Sequence, residues 1–280
     1  MPDLEKPETL PKPAAIPRPT HWDRWWGLFA AVSLIVIVAV CFRPDPYWRI
    51  LVFLRDGLWI TIVTTVVSYV CILIVGLIAG LGRISKNSVI QGVASIYVEV
   101  IRGIPLLVQL YYIYYVSPVV LQSLGRYLLE HVPALGGLGQ SLATMTLNPF
   151  VGAVFGLTIC YGAYVGEIYR AGIESIPRGQ LEAARSLGMS YFQAMRYVIL
   201  PQAIRVILPP LGNEFVALLK DSSLVSAVAV ADMTRRGREF MGKTFTPIET
   251  WTMVALLYLV LTVFAARIVS YIERKTAYAR

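Results

Sequence analysis

The sequence predicts an all-α, polytopic membrane protein with six transmembrane helices, and two observations lead to this prediction. Hydrophobic residues make up 56% of the 280 residues and charged residues only 15%, whereas a soluble domain carries about 25% charged residues. The apolar residues are also clustered, because no residue from Gly57 to Leu81 is charged. A hydrocarbon core of about 30 Å is crossed by about 20 apolar helical residues. This one segment is therefore long enough to span a bilayer.

The chain begins with a segment that we expect to be disordered. Residues 1–24 are rich in proline and alternate in charge, a composition that forms neither a helix interior nor a core. The segment is too long, too proline-rich and too acidic for a typical signal peptide. We predict a cytoplasmic tail over residues 1–24 and a first span over residues 25–42. Trp22, Trp25 and Trp26 mark the membrane interface, which indole rings favour.

The other five spans are predicted from apolar runs separated by polar segments. In the second span, Ser68, Gly76 and Gly80 are small residues that favour close helix packing. The fifth span is expected to bend at Pro209-Pro210. Residues 88–103 are mildly amphipathic, with Glu99 and Arg102 breaking the apolar pattern, and the polar segments 122–148 and 220–248 are interpreted as loops. Spans two to six are placed at residues 57–82, 104–121, 149–169, 203–219 and 250–271.

The distribution of basic residues predicts the orientation in the membrane. Six spans put both termini on one side, and most of the 25 Lys and Arg residues fall in segments on that side. Because basic residues are retained on the inner side, we predict that both termini are cytoplasmic. The segment with Arg235, Arg236, Arg238 and Lys243 goes against this bias.

The segment between the fourth and fifth spans predicts a helix, a tight turn and a second helix. Pro177 fits a first helical turn, and Leu181, Ala184 and Leu187 share one face. Gly188 is a helix stop. Ser190 and Gln193 have the spacing of a capping box. The short helix is interpreted either as a connector on the membrane surface or as a docking element. A DNA-reading helix-turn-helix is excluded, because tethering to two spans leaves no domain to enter a groove.

No catalytic, metal or nucleotide site is predicted. The cysteines Cys41, Cys71 and Cys160 lie in apolar runs and are expected to be small buried hydrophobic residues, and the histidines are isolated. Residues 237–244 satisfy the phosphate-loop pattern G-x-x-x-x-G-K-T. We interpret this match as a coincidence in a basic external loop, because Pro247 and a membrane span follow it.

Polar residues within spans are expensive and usually face a cavity or a partner. They could line a translocation path and contact amino or carboxylate groups, or they could form a structural salt bridge or a gate. Glu167 and Arg170, at the end of the fourth span, are expected to be interfacial. The candidates for the path are Asn213, Glu214, Lys220, Asp221 and Gln109.

One segment resembles a known family. With Val198 at the isoleucine position, the pattern resembles the EAA signature of binding-protein-dependent ABC importer permeases. Residues 97–110, 163–173 and 218–224 resemble motifs of the polar amino acid subfamily, with Ile104 where threonine is common. The residues that match the signature are Glu182, Ala183, Ala184, Gly188, Leu200 and Pro201.

The resemblance covers residues 52–275 and implies a five-helix permease core with an added N-terminal span. It implies a polar or charged amino acid as substrate and a place in the bacterial cytoplasmic membrane. It implies no cofactor, no enzyme activity and no nucleic acid. The implied partners are a second permease subunit, a cytosolic ABC ATPase dimer and an extracytoplasmic solute-binding protein. Within the coupling loop 170–200, the implied ATPase-coupling residues are Leu181, Glu182, Ala183, Ala184, Arg185 and Gly188.

Two other function classes remain open from the sequence. An ion-driven secondary transporter usually shows two similar halves, and no repeat relates residues 25–121 to residues 149–271. A non-transporting membrane adaptor would use the helix at 178–193 only for docking. Neither alternative predicts ATP-dependent uptake.

Overall fold

Helices form all the regular secondary structure of the described part of the chain, residues 24–277 of a computed structural model. This confirms the all-α prediction. Residues 1–23 of the predicted tail, which include Trp22, lie outside the described residues. The helices are α1 (Arg24–Phe42), α2 (Pro44–Arg83), α3 (Ser88–Gly103), α4 (Leu106–Tyr111), α5 (Ser117–His131), α6 (Gly136–Ala143), α7 (Pro149–Glu174), α8 (Arg178–Ser186), α9 (Tyr191–Ala194), α10 (Leu200–Asp221), α11 (Met233–Thr244) and α12 (Pro247–Ala277).

Three of these helices, α2, α7 and α12, are long and apolar enough to cross a membrane by themselves. A fourth apolar unit is bent by 107° where α3 meets the continuous helix Leu106–His131. The bend lies at Ile104-Pro105, because proline disfavours helical backbone in the residue before it. The apolar part of α1 is shorter, Trp26–Phe42. The total of six spans therefore stays a prediction.

Two segments interpreted as loops are helical, so those interpretations are wrong. Residues 122–148 contain most of α5 and all of α6, and residues 220–248 contain a 3-10 turn, Ser222–Val228, and α11. Glycine misled the interpretation of the first segment. A side chain at Gly125 would collide with the backbone of Ala143, so the glycine permits close crossing of α5 and α6. The second span also starts earlier than predicted, because α2 begins at Pro44.

The packing of α2 against α7 confirms the predicted face of small residues. A Cβ atom on Gly76 would lie 2.5 Å from Val165 Cγ1, and one on Gly80 would lie 2.7 Å from the Gly166 carbonyl oxygen. Only glycine lets the two backbones approach this closely. The largest buried cluster lies at this contact and includes Ile72 and Val165. The contact therefore fixes α2 against α7, around which the other helices pack.

Contacts between antiparallel helices define two ends of the molecule. The Tyr161 hydroxyl of α7 donates to Asp221 at the end of α10 over 2.7 Å. Helix α8, which joins α7 to the start of the α9–α10 segment, lies at the other end, which we call the α8 end. The rings of Phe29 in α1 and Phe264 in α12 lie 6.0 Å apart, and Trp26 and Arg274 line one cleft. The last residues of α12 also line a cleft with Arg205, near the start of α10, so α1 starts, and α12 finishes, at the α8 end.

A buried carboxylate organises the opposite end. Asp232 is 0% exposed and caps α11 by accepting hydrogen bonds from the backbone N–H groups of Thr234 (3.2 Å) and Arg235 (3.0 Å). It also accepts from the Tyr258 hydroxyl of α12 at 3.3 Å. The Met233 N–H donates to Thr61 Oγ1 of α2 at 3.1 Å. Burial raises the pKa of the Asp232 carboxyl, while the hydrogen bonds from Arg235 and Thr234 oppose the rise.

Helix α11 also shows whether the phosphate-loop pattern forms a phosphate-binding loop. Residues 237–244 lie inside this continuous helix, where backbone N–H groups bond to carbonyl groups of the preceding turn. They do not form the open loop whose N–H groups cradle a phosphate. The match to the pattern is therefore coincidental, as interpreted, but the segment is a packed helix and not a loop.

We expect Asp232→Ala to destabilise the full chain by about 1–2 kcal/mol, because it removes the cap of α11. Asp232→Asn should cost less, because the amide oxygen retains an acceptor for the cap and the buried charge is lost. Thermal aggregation of the purified chain in detergent measures the difference, with Asp56→Ala, at an exposed carboxylate, as the control. Equal losses for the Ala and Asn variants would contradict a capping role.

Candidate functional site

The turn after α8 is built as the sequence predicts. Gly188 has φ +82°, a left-handed conformation that glycine adopts without steric cost. Its N–H donates to the Arg185 carbonyl at 3.0 Å, and the Met189 N–H donates to the Ala184 carbonyl at 3.2 Å. These two bonds satisfy carbonyl groups at the end of α8. Pro177 differs slightly from the prediction, because it precedes α8 in extended backbone instead of occupying its first turn.

The helix after the turn begins with the predicted capping box. The Ser190 hydroxyl accepts from the Gln193 N–H at 3.3 Å, and the Gln193 side chain accepts from the Ser190 N–H at 2.8 Å. Helix α9 then continues through a π-helical turn, Met195–Ile199, into α10. Helix α10 itself runs on through Pro209 and Pro210. The chain therefore forms an uninterrupted helix from Tyr191 to Asp221.

Helix α8 presents a mixed apolar and charged surface. Ala184 is buried and Leu181 half-buried, whereas Glu182, Ala183 and Arg185 are exposed. Leu187 was predicted to share one face with Leu181 and Ala184, but its surroundings differ from theirs. It lies past the last residue of α8, where the chain leaves the helix, and is 81% exposed. We call the exposed set the α8 patch, which consists of Glu182, Arg185, Leu187, Tyr191 and Phe192.

The α8 patch exposes large apolar side chains at the α8 end of the molecule. Phe192 is 71% exposed and Tyr191 60%, and together with Leu187 they group large apolar side chains beside a carboxylate and a guanidinium. Such a patch, rimmed by charge, is typical of a surface that another protein covers.

A network of charges ties three helices together at the α8 end. Arg83 of α2 forms ion pairs with Glu167 of α7 and, at 3.9 Å, with Glu99 of α3. Arg170 bonds to Glu167 and to Glu174 in the last turns of α7. The side chains of Arg83, Glu167 and Arg170 are all largely covered. Glu167 and Arg170 were expected only to be interfacial, and this network is a feature that the sequence analysis missed.

The predicted path residues do not share one environment. Asn213 and Lys220 are exposed, and Glu214 and Asp221 are half-buried. Gln109 is 5% exposed, and its Nε2 donates to the carbonyl groups of Ile101 and Ile104, both at 2.7 Å. Gln109 therefore holds the bend between α3 and α4, and its place in a path stays a prediction.

Arg102 is a residue that was not among those predicted for the path. Its guanidinium lies over the Tyr164 ring at 5.4 Å, and it interacts electrostatically with Glu214, which in turn interacts with Asp221. Arg102 and Asp221 thus both influence the electrostatic environment of Glu214. The signal was present in the sequence, since Arg102 interrupts the apolar pattern of residues 88–103. Cys41 is another correction, because it is exposed and not buried.

Comparison with known proteins identifies the family. The model described as "Binding-protein-dependent transport system inner membrane component" matches residues 72–278. The glutamine transport system permease protein of Escherichia coli is 35% identical over 84% of this chain and 97% of its own length. The L-cystine transport system permease protein of Bacillus subtilis is 36% identical over 82% and 88%. The arginine transport system permease protein of Corynebacterium glutamicum is 34% identical over 90% and 79%.

Solved structures agree with this result. A chain from a crystal structure of an amino acid ABC transporter with histidines is 38% identical, with a TM-score of 0.67, covering 86% of this chain and 98% of that one. A chain of the MetNI methionine ABC transporter, at 21% identity and a TM-score of 0.61, shares the fold over 80% and 96%. Because the family model and the relatives each cover most of the chain, this protein belongs to the binding-protein-dependent transport system inner membrane components.

Proposed function

We propose that this chain is the permease subunit of an ABC importer that moves a polar or charged amino acid across the cytoplasmic membrane. The observation that carries the proposal is the α8 patch, an exposed surface with charged residues on α8 and apolar residues on the turn after it and at the start of α9. ATP hydrolysis takes place on a partner chain, since the phosphate-loop pattern lies inside a helix. The names of the relatives support an amino acid as the substrate.

Each residue of the proposed coupling element has a physical role. Leu181 and Ala184 hold α8 against the body of the chain, and Ala183 lets a partner approach closely. Glu182 and Arg185 offer charged contacts, and Gly188 sets the angle to α9. The apolar side chains of the α8 patch would be buried by a cytosolic ABC ATPase, with one such subunit for each permease subunit.

For the translocation path we propose the charges near the start of α4 and the end of α10. Glu214 and Asp221 suit an amino group, and Arg102 or Lys220 suits a carboxylate, while Asn213 adds hydrogen bonds. We assign Gln109 to the bend instead, because its amide nitrogen is occupied by two backbone carbonyl groups. A second permease subunit would complete the path, and an extracytoplasmic binding protein would deliver the substrate.

We further propose that the α8 end faces the cytoplasm. Helix α1 starts and α12 finishes at this end, so both termini would be cytoplasmic, as the distribution of basic residues favours. The basic helix α11 would then lie on the outer side.

Uptake of a panel of labelled amino acids into proteoliposomes tests the proposal. The liposomes hold the full chain with the ATPase and binding protein encoded by neighbouring genes, with and without ATP. We expect uptake that requires ATP and the binding protein, and the panel identifies the substrate. Uptake that follows an ion gradient without ATP would indicate a secondary transporter, and ATPase binding without uptake would indicate an adaptor.

A further inference from the structure

The carboxylate of Glu167 in α7 meets guanidinium groups from three helices. Its Oε2 accepts hydrogen bonds from Arg83 of α2 and, at 2.9 Å, from the Nε of Arg170. Its Oε1 accepts from the Nη2 of Arg170, so Arg170 holds the carboxylate with two charge-assisted bonds. Arg102 of α3 also interacts electrostatically with Glu167. We call Arg83, Glu167 and Arg170 the charge clamp.

The charge clamp lies where the backbones of α2 and α7 approach closely. A Cβ atom on Gly80, one turn before Arg83, would lie 2.7 Å from the carbonyl oxygen of Gly166, which directly precedes Glu167. The side chains of the clamp are only 16% to 27% exposed, so solvent screens their ion pairs less than it screens pairs at the surface. The clamp therefore fixes the end of α2 against the end of α7.

The clamp also lies between α8 and the bend that joins α3 to α4. Glu174 ends α7, and α8 begins at Arg178, so a force on α8 reaches α7 through a short connection. On the other side of the clamp, Arg83 pairs with Glu99 at 3.9 Å. Glu99 belongs to the last turns of α3, just before the bend at Ile104-Pro105. Ion pairs thus connect the helix that leads into α8 with the helix that leads into the bend.

We propose that Glu167 is a positioning residue of the transport cycle, through which a movement of α8 is passed to α2 and α3. This role rests on the proposed function, because an ATPase bound to the α8 patch is what would move α8. The pair with Arg170 lies within α7 and persists when that helix moves as a rigid body. The pair with Arg83 joins two helices, so a relative movement of α2 and α7 breaks it. Glu167 then keeps Arg170 as a partner, and its partly covered charge is not left unpaired.

Glu174 provides the matched control for Glu167. Its carboxylate also bonds to Arg170, but this pair lies within α7, and the Glu174 side chain is 52% exposed. Glu174→Gln therefore removes the same charge from the same helix, closer to α8, and leaves the pair between Arg83 and Glu167 in place.

Hydrogen exchange of the full chain in detergent, followed by mass spectrometry, tests the clamp itself. We expect Glu167→Gln to speed the exchange of amides in the last turns of α2 and α3 by about fivefold, and Glu174→Gln to leave both unchanged. Arg83→Gln should give the same pattern as Glu167→Gln. The double variant Arg83→Gln/Glu167→Gln should add little, because both substitutions remove one link. Unchanged exchange in Glu167→Gln would overturn the proposal.

The positioning role is measured as the number of solute molecules taken up per ATP hydrolysed. The proteoliposomes contain the full chain with its ATPase and binding protein. We expect this ratio to fall about fivefold for Glu167→Gln and to stay unchanged for Glu174→Gln. ATP hydrolysis should continue, because the α8 patch is intact, while less of the movement reaches α2 and α3.

Two outcomes of the transport measurement would overturn the positioning role. One is a loss of uptake and hydrolysis in equal proportion, which would make Glu167 a residue of structure alone. The other is an equal fall of the ratio in Glu174→Gln. A lack of ATP-driven uptake by the unmodified chain would instead overturn the proposed function, and the exchange measurement would still decide whether Glu167 links α7 to α2 and α3.

Discussion

ATP-driven uptake will fall by about tenfold or more when Gly188 is replaced by Asp. At φ +82°, any side chain strains the backbone by about 1–2 kcal/mol, so the turn shifts and with it the angle between α8 and α9. The new carboxylate also stands at the C-terminal end of α8, where the helix dipole disfavours negative charge. Nothing lies within 4 Å of the new Cβ position, so the helix bundle itself should assemble normally.

Gly179→Asp is the matched control for this experiment. Gly179 lies in the first turn of α8, has equally open surroundings and would place the carboxylate where the dipole favours it. We expect uptake within about twofold of the unmodified chain for this variant. Glu182→Lys, which reverses the charge at one position of the α8 patch, should behave like Gly188→Asp. Initial rates of uptake in proteoliposomes are compared with the amount of ATPase that copurifies. Normal transport by Gly188→Asp would remove the coupling role from α8.

The second large effect is expected from Gly80→Leu. The Cβ position at Gly80 lies 2.7 Å from the Gly166 carbonyl oxygen and 2.8 Å from Tyr169 Cβ, so a leucine pushes α2 away from α7. Forcing side-chain volume into a filled contact costs about 3 kcal/mol or more at a backbone-to-backbone site. We expect the temperature of aggregation to fall by roughly 10 °C, or the chain to fail to accumulate in the membrane.

Gly92→Leu provides the comparison for Gly80→Leu. Gly92 is also a helical glycine, on α3, but nothing lies within 4 Å of its Cβ position. Size-exclusion chromatography of the heated full chain should show normal stability for this variant. If both leucine variants lose the same stability, the loss does not come from the α2–α7 contact, and that contact is less important than its geometry indicates.

The parts of the fold that the sequence predicted correctly depend on local chemistry. A glycine with positive φ at Gly188 and a capping box at Ser190 are decided by a few neighbouring residues. Likewise, Gly76 and Gly80 are informative because small residues at helical spacing have one dominant use in a membrane.

The errors arose where a residue type has more than one use. Gly125 and Gly139 suggested a loop, although they permit the crossing of two helices. The arginines of α11 also suggested a loop, although they lie on one side of a packed helix. Asp232 was the overlooked sign of a helix start. The early start of α2 was missed because Arg55 and Asp56 are charged. Both side chains are exposed on the surface of α2, so they do not interrupt the helix.

The residues of the candidate site also differ in how far the sequence alone could predict them. The coupling residues could be predicted because they are contiguous in sequence, and their role stays a prediction. The electrostatic interaction of Arg102 with Glu214 relates residues of α3 and α10, and no spacing rule relates residues so far apart. The hydrogen bonds of Gln109 could not be predicted, because its two carbonyl partners come within reach only once the chain bends at Pro105.

The uninterrupted helix from Tyr191 to Asp221 connects the turn after α8 with the opposite part of the protein. A movement of α8 can therefore be transmitted along this helix. A straight helix of this length is about 45 Å long at 1.5 Å per residue, and tilting it by about 5° at Tyr191 would displace Asp221 by about 4 Å; a bend at the π-helical turn or at Pro209-Pro210 would take up part of that displacement. Asp221 meets the Tyr161 hydroxyl at 2.7 Å, a distance that such a displacement is large enough to break. A small rotation imposed on one surface of the protein is thus amplified into the opening or closing of a single hydrogen bond at the other.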